Sequence, residues 1–104
     1  MGDERRQFGR VLLPLEVRWD GLSGRHAARV YDLSLGGCYV ETMGQVMRGE
    51  RIRFEIELPT GRWLRLEGEV AHAQPNMGFG LRLINLSGTD HDMLAHLLEY
   101  AGGQ

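Results

Sequence analysis

Alternation of apolar and polar residues with a period of two runs along this chain from residue 11 to about residue 84. Successive side chains of a β-strand point to opposite faces, so this period predicts half-buried strands and not helices. Turn-forming residues interrupt the alternation, for example at residues 20–24 and at the glycine pair 36–37. The chain must therefore fold mainly into short strands joined by tight turns.

We interpret the alternation as six strands, the second of which, at about residues 25–32, gives the weakest signal. The fourth and fifth strands are the clearest, and residues 59–62 between them are typical of a hairpin connection. The residues predicted to face inward are, strand by strand, Val11, Leu13, Leu15, Val17 and Trp19; Ala28 and Val30; Cys38 and Val40; Ile52, Phe54, Ile56 and Leu58; Leu64, Leu66 and Val70; and Phe79, Leu81 and Leu83.

The period changes near the C-terminus, where apolar residues recur with i, i+4 spacing between residues 93 and 101. This spacing predicts a short amphipathic helix, with Thr89 and Asp92 resembling a capping box at its start. Six strands and one helix favour an all-β fold: a closed or nearly closed six-stranded antiparallel β-barrel with a short C-terminal α-helix over one end. We expect a single domain, residues 11–104, preceded by a flexible arm, residues 1–10.

Composition narrows the class of protein. The chain has 104 residues, a formal net charge of −2 and a pI near 6.1, which argues against a binder of nucleic acid polymers or of membrane surfaces. Cys38 is the single cysteine, so no internal disulfide can form. The charged N-terminus has no apolar run typical of a signal peptide, and no segment is apolar enough to insert in a membrane. We therefore expect a cytoplasmic protein.

The sequence contains no recognisable motif of catalytic residues. The four histidines have no metal-ligand spacing with one another or with Cys38. Ser34 lacks the preceding glycine of a GxSxG nucleophile elbow, and no phosphate-binding P-loop pattern occurs. We expect a protein that is not an enzyme, with neither metal nor cofactor.

Two short segments have a composition that suits a guanine nucleotide. Arg5, Arg6 and Arg10 make residues 4–10 a cationic arm, and residues 32–37 offer a carboxylate, a hydroxyl and two glycines. An arginine fork matches the O6 and N7 acceptors of guanine, a carboxylate suits its N1–H and N2–H donors, and phosphates suit guanidinium and backbone N–H groups. Taken alone, an arginine-rich N-terminus is usually a solvated tail, and a segment such as 32–37 is usually a hydrogen-bonded turn or bulge. Together they complement a ligand with two guanines and two phosphates.

The same segments resemble a known family. Arg6-Gln-Phe-Gly-Arg10 matches the RxxxR motif of PilZ domains, and Asp32-Leu-Ser34-Leu-Gly-Gly37 matches their (D/N)xSxxG motif. Residues 68–70, 77–83 and 85–87 are similar to the later strands and the exit to the helix, so the resemblance covers nearly the whole chain. It implies a six-stranded β-barrel that binds the bacterial second messenger cyclic di-GMP.

The resemblance also implies roles for single residues. Arg6 and Arg10 in the arm would bind guanine and phosphate, while Asp32 and Ser34 on the barrel would contact guanine. Gly37 would let the ligand lie close, and the adjacent Gly36 would permit the turn.

Arg5 precedes the first motif arginine, at a position thought in this family to influence whether one ligand or a stacked pair binds. A cationic side chain there could stack on a guanine face, so we predict an intercalated ligand dimer.

Two functions stay open at this point. In the first, cyclic di-GMP closes the arm over the barrel, and the altered surface signals to an unidentified effector protein in motility or biofilm regulation. In the second, the chain is a PilZ-like protein-interaction module that binds no nucleotide; such modules usually lack the motifs present here. A barrel that binds single-stranded nucleic acid would need aromatic residues among basic ones, and here only Phe8 lies amid arginines. With no attached output domain in this sequence, we expect a free adaptor.

Overall fold

The computed structural model describes residues 15–102, so the predictions for Val11, Leu13 and the N-terminal arm lie outside the described residues. The described part consists of six strands followed by one helix. Their bounds are β1 (Leu15–Gly21), β2 (Gly24–Tyr31), β3 (Gly37–Glu41), β4 (Arg51–Glu57), β5 (Trp63–Gln74), β6 (Gly78–Ile84) and α1 (Gly88–Gly102).

The six strands form a closed barrel in the order β1-β2-β3-β6-β5-β4, and every neighbouring pair is antiparallel. The predicted fold class, a six-stranded antiparallel β-barrel with a C-terminal helix, is confirmed. Closure requires two pairings between strands that are distant in sequence, β1 with β4 and β3 with β6. A closed barrel leaves no strand edge for pairing with another chain.

The barrel interior is filled by the alternate positions that the period-two pattern predicts. Val17, Trp19, Phe54 and Phe79 are at most 2% exposed, and the other predicted inward residues that the structure describes are buried or pack against this core. Burying a side chain of this size contributes about 1.5–3 kcal/mol. The pattern of apolar residues thus determines which face of each strand turns inward.

Helix α1 has its N-cap two residues before the position that the predicted capping box gives it. The Ser87 hydroxyl accepts a hydrogen bond from the Asp90 N–H at 3.0 Å, and the Ser87 carbonyl accepts the His91 N–H at 2.9 Å. Ser87 is therefore the N-cap, with Asp90 three residues later, and the assignment to Thr89 and Asp92 was wrong. The helix buries three leucines against the barrel, Leu94, Leu97 and Leu98.

Because neighbouring strands are antiparallel, successive connections lie alternately at the two ends of the barrel. The β2–β3 loop, the β4–β5 hairpin and the entry to α1 lie at the helix end. The β1–β2 turn, the β3–β4 loop and the β5–β6 turn lie at the opposite end. Within residues 15–102, no helix has the length and apolar character needed to cross a bilayer.

Candidate binding site

The β2–β3 loop, residues 32–36, is anchored in the core by Leu33, which is fully buried between Asp32 and Ser34. Asp32 has φ 58°, a left-handed backbone conformation that aspartate adopts more readily than most residues. Both Asp32 and Ser34 remain half-buried at the surface of the barrel. The buried leucine therefore fixes a carboxylate and a hydroxyl on the outer surface.

The Ser34 hydroxyl holds the loop in shape. Its oxygen accepts hydrogen bonds from the Gly36 and Gly37 N–H groups, both at 3.2 Å, and the hydroxyl donates to the Gly37 carbonyl at 3.3 Å. The Ser34 N–H also donates to the same carbonyl at 2.8 Å. One donor and two acceptor sites exhaust a hydroxyl. Ser34 thus shapes the loop here, while its contact with guanine stays a prediction.

The structure requires glycine at residue 37 of the motif but not at residue 36. A Cβ on Gly37 would lie 2.2 Å from the Leu81 carbonyl oxygen, so only glycine allows β3 and β6 to pair at this point. At Gly36 a Cβ would meet only the Ser34 hydroxyl, at 3.9 Å, and the backbone φ is not positive. Gly36 contributes its carbonyl, which accepts the Leu83 N–H at 2.9 Å. The turn does not require glycine at residue 36, and the closeness of a ligand to Gly37 stays a prediction.

An open depression of about 590 Å³ on the barrel surface brings the predicted loop residues together with side chains from other strands. Its lining residues are Asp32, Ser34, Gly37, Cys38, Tyr39, His72 and Gly80. Four of these, Cys38, Tyr39, His72 and Gly80, were not among the site residues predicted from the sequence, whereas the predicted Gly36 is not among the lining residues. The depression is thus built by three neighbouring strands, β3, β6 and β5, and the β2–β3 loop.

His72 reaches the depression because of an irregularity in β5. Strict alternation from Val70, which is buried, would turn His72 into the core. A register shift between Val70 and His72 in the pairing of β5 with β6 reverses the alternation, as β-bulges do. The imidazole consequently lies outside the barrel, over Gly80.

Tyr39 faces the same depression from β3. Its ring lies against Gly78, where a Cβ would be 2.9 Å from the Tyr39 Cε2, and its hydroxyl donates to the Gln74 Oε1 at 2.5 Å. The Tyr39 and His72 rings have their centroids 6.3 Å apart and their planes 31° apart. Both residues pair in register with Gly80, which has no side chain to separate them. The two rings form an aromatic surface on which a planar heterocycle can stack.

Charge and reactivity near the depression come from two further residues. Arg82 lies opposite Gly37 in the β3–β6 register, and its guanidinium pairs with the Glu69 carboxylate. Burial raises the pKa of the Cys38 thiol to about 12, so Cys38 is held as a neutral thiol and is unsuited to act as a nucleophile. Among residues 15–102, no three His, Cys, Asp or Glu side chains are placed to hold a metal ion.

Comparison with known proteins connects this arrangement to one family. The PilZ domain model matches residues 4–100. Among solved structures, the inhibitor of motility MotI/DgrA of Bacillus subtilis is similar to this chain, with 24% sequence identity and a TM-score of 0.73. The alignment covers 93% of this chain and 49% of the MotI/DgrA chain. This chain therefore spans about half the length of MotI/DgrA.

Two solved PilZ domains match over most of their own length. The PilZ domain of YcgR from Escherichia coli with c-di-GMP has 18% identity and a TM-score of 0.72, with 88% of this chain and 86% of that one covered. The PilZ domain of CeSA from a cellulose synthesizing bacterium has 17% identity and a TM-score of 0.67, with 90% and 95% covered. At these identities the likeness establishes a shared fold. No curated protein matches the chain.

Proposed function

The chain belongs to the PilZ domain family, and on that premise we propose that it is a receptor for cyclic di-GMP that signals to a partner protein and catalyses no reaction. The observation that carries the proposal is the depression in which Asp32 of the family motif meets Tyr39 and His72. Its volume, about 590 Å³, falls within the range of about 300–1,000 Å³ that is usual for small-molecule sites.

The described part of the site offers complementary groups for a guanine base. The Asp32 carboxylate can accept hydrogen bonds from N1–H and N2–H of guanine, as carboxylates do at ring donors. The Tyr39 and His72 rings offer stacking surface, which contributes about 1–3 kcal/mol per base in single-stranded nucleic acid complexes. The hydrogen bonds between Ser34 and Gly37 fix the shape of the loop that carries Asp32.

The arm supplies the cationic half of the proposed site. We assign Arg6 and Arg10 to the O6 and N7 edge of guanine and to the phosphates, with bidentate geometry. Arg5 would stack on an exposed guanine face, so that two intercalated ligand molecules bind per protomer. Support for cyclic di-GMP as the ligand comes from the family and from the solved YcgR PilZ domain, which contains c-di-GMP.

Signalling follows from closure of the arm over the depression. A ligand that contacts both arm and barrel favours the closed state by its differential affinity, and the closed state presents a different outer surface. We propose that a partner protein reads this surface in the cytoplasm. A role in motility is supported by the likeness to the inhibitor of motility of Bacillus subtilis.

Calorimetric titration of the full chain with cyclic di-GMP tests the proposal. We expect micromolar or tighter binding, about two ligands per protomer, and a raised melting temperature because the ligand binds the native state. Arg6→Ala or Arg10→Ala should weaken binding at least about tenfold. Arg62→Ala in the β4–β5 hairpin serves as the matched control and should bind like the parent.

Two results would contradict parts of the proposal. If the parent releases no heat and gains no thermal stability, the protein-interaction module that binds no nucleotide becomes the better assignment. If one ligand binds per protomer at saturation, the role of Arg5 in an intercalated dimer is wrong, although the receptor function stands.

A further inference from the structure

Arg82 in β6 lies at the border of the depression, beside two of the residues that line it. It is two residues from Gly80 along β6, and it lies opposite Gly37 in the β3–β6 register. Residues two apart on a strand point to the same face of the sheet, so the Arg82 side chain leaves the barrel on the face that carries the depression. Neither glycine has a side chain, so neither separates the Arg82 guanidinium from the depression.

One carboxylate holds the Arg82 guanidinium away from the motif glycine. Glu69 lies opposite Arg82 in the β5–β6 register, and the two side chains form an ion pair. Strand β6 runs between β3 and β5, so Gly37 and Glu69 lie on opposite sides of Arg82. The guanidinium therefore points towards β5, and Arg82 borders the depression without lining it.

The ion pair between Arg82 and Glu69 is exposed to solvent, so it can open at low cost. The Arg82 side chain is 64% exposed and the Glu69 side chain is 36% exposed. Exposed ion pairs contribute little to stability, because water and salt screen the two charges. Exposed side chains also change rotamer within nanoseconds. The guanidinium is therefore available to an anion that the site holds in place by other contacts.

Glu69 has a second arginine on its other side. Arg51 in β4 lies opposite Glu69 in the β4–β5 register, so Glu69 stands between Arg51 and Arg82 on one face of the sheet. Arg51 is exposed and forms no ion pair with another residue in the range 15–102. Opposite charges directly across a strand pair attract each other. Glu69 can therefore pair with Arg51 whenever Arg82 leaves it. We call Arg51, Glu69 and Arg82 the charge row.

The carboxylates on this face determine what a bound phosphate would meet. Asp32 lines the depression and Glu69 borders it, and both repel a phosphate. Glu67, two residues before Glu69, accepts a hydrogen bond from the Asn85 amide at 3.2 Å. Each phosphate of cyclic di-GMP carries one negative charge. If Arg82 turns to the depression and Glu69 turns to Arg51, a cation faces the phosphate and the nearest carboxylate is neutralised one strand further away.

The chemistry of the ligand favours this exchange. A guanidinium fork binds two phosphate oxygens at once through charge-assisted hydrogen bonds. A ligand whose guanine is already held by the Asp32 loop presents its phosphate to Arg82 as an intramolecular partner, at a high effective concentration. A phosphate presented in this way can displace the carboxylate of an exposed ion pair.

We propose that Arg82 binds a phosphate group of the cyclic dinucleotide, for which it leaves Glu69, and that Glu69 then pairs with Arg51. The inference rests on the proposed function, because it names a further residue of the same site and its regulation. It adds a cation of the barrel to those of the arm. It also carries the effect of ligand binding along the charge row from β6 to β4, two strands away.

Calorimetric titration of cyclic di-GMP into variants of the full chain tests the phosphate contact. Arg82→Ala should weaken binding at least about fivefold, because charge-assisted hydrogen bonds to the phosphate are lost. Glu69→Gln should strengthen binding about twofold, because Arg82 no longer has to leave a carboxylate. In the double variant the gain from Glu69→Gln should vanish, because Glu69 acts through Arg82.

The exposed ion pair between Arg65 and Glu55 supplies matched controls. Its Nε–Oε2 distance is 3.1 Å, it joins β4 to β5, and neither residue lines the depression. Arg65→Ala and Glu55→Gln should both bind like the parent. Arg82→Lys, which keeps the charge but lacks the planar fork, should show a loss smaller than that of Arg82→Ala.

Spectra of the arginine Nε–H groups, recorded on the full chain labelled with ¹⁵N at arginine, report the exchange of partners. We expect the Arg82 and Arg51 signals to move when cyclic di-GMP is added, while the Arg65 signal stays in place. In Glu69→Gln the Arg51 signal should no longer respond to the ligand.

The outcomes separate this inference from the proposed function. If the parent binds cyclic di-GMP and Arg82→Ala binds it equally well, or if Glu69→Gln weakens binding, the phosphate contact is refuted while the receptor function stands. If the Arg51 signal does not move in a parent that binds the ligand, the transfer of Glu69 to Arg51 is refuted. A parent that binds no cyclic di-GMP overturns both proposals.

Discussion

The imidazole of His72 occupies the space that a side chain on Gly80 would need. A Cβ on Gly80 would lie 2.4 Å from the His72 Cε1, closer than side-chain atoms approach one another in folded proteins. The two residues are paired in register between β5 and β6. The orientation of the histidine ring over the depression therefore depends on the absence of a side chain one strand away.

Substitution Gly80→Ala should displace the His72 ring and weaken cyclic di-GMP binding. We expect a loss of at least about fivefold, the lower limit for removing one stacked ring. His72→Ala should weaken binding by a similar or larger factor, and His91→Ala on α1 is its matched control. Calorimetry of each variant gives the affinity, and thermal denaturation shows whether the barrel remains folded.

The double variant decides whether Gly80 acts through His72. If the glycine serves only to make room for the ring, Gly80→Ala should change affinity little once His72 is already alanine, because the two effects are not additive. Independent, multiplying losses in affinity would show that Gly80 affects the ligand by another route.

Gly37→Ala and Gly36→Ala should differ strongly in stability although the two residues are adjacent. At residue 37 the added methyl group would clash with the Leu81 carbonyl oxygen and open the β3–β6 pairing, so we expect a loss of at least about 2 kcal/mol in the free energy of unfolding. At residue 36 there is open space and an ordinary φ, so we expect a change below about 1 kcal/mol of either sign.

Denaturant unfolding with matched m-values measures this difference. A Gly37→Ala protein as stable as the parent would mean that the ladder between β3 and β6 is not constrained as the structure shows.

The barrel could be predicted from the sequence because alternation depends on local geometry. Phe54 and its neighbours in β4 alternate without interruption, so the pattern shows directly which face of this strand turns inward. The pairing of β3 with β6 could not be read in this way, since it joins segments about 40 residues apart and local periodicity carries no information about distant partners.

The site was predictable only in part, for the same reason. The 32–37 motif has a recognisable composition, and its Asp32, Ser34 and Gly37 line the depression. Tyr39 had a signal, because alternation from Cys38 turns it outward beside that motif. His72 had none: the β-bulge after Val70 reverses its direction, and a bulge formed by pairing with β6 leaves no mark in β5 itself.

Ser87→Ala should destabilise the protein by about 1 kcal/mol through loss of the N-cap hydrogen bond to the Asp90 N–H. Thr89→Ala, two residues further on, is the matched control and should change the free energy of unfolding by less than about 0.5 kcal/mol. Equal effects of the two substitutions would restore the capping box at Thr89. Unfolding in urea distinguishes these outcomes.

Stability should fall above pH 9 because of the buried Cys38 thiol. Burial raises its pKa from 9.0 to about 12, so between these values the unfolded chain loses the proton while the folded protein keeps it. The unfolded state then binds fewer protons, and the free energy of unfolding decreases by about 1.4 kcal/mol per pH unit from this group. Below pH 9 the thiol is protonated in both states and contributes no pH dependence.

Cys38→Ala isolates this contribution from the other groups that titrate at high pH. The variant should lose some stability at every pH because a buried side chain is shortened, but its stability should decline less steeply than that of the parent between pH 9 and pH 11. The quantity compared is the slope of the free energy of unfolding against pH, measured by unfolding in urea. The loss of stability caused by the shorter side chain is the same at every pH and therefore does not affect this slope. Parallel slopes would show that the Cys38 thiol ionises as readily in the folded barrel as in the unfolded chain, and that it is therefore not shielded from water between β3 and β6.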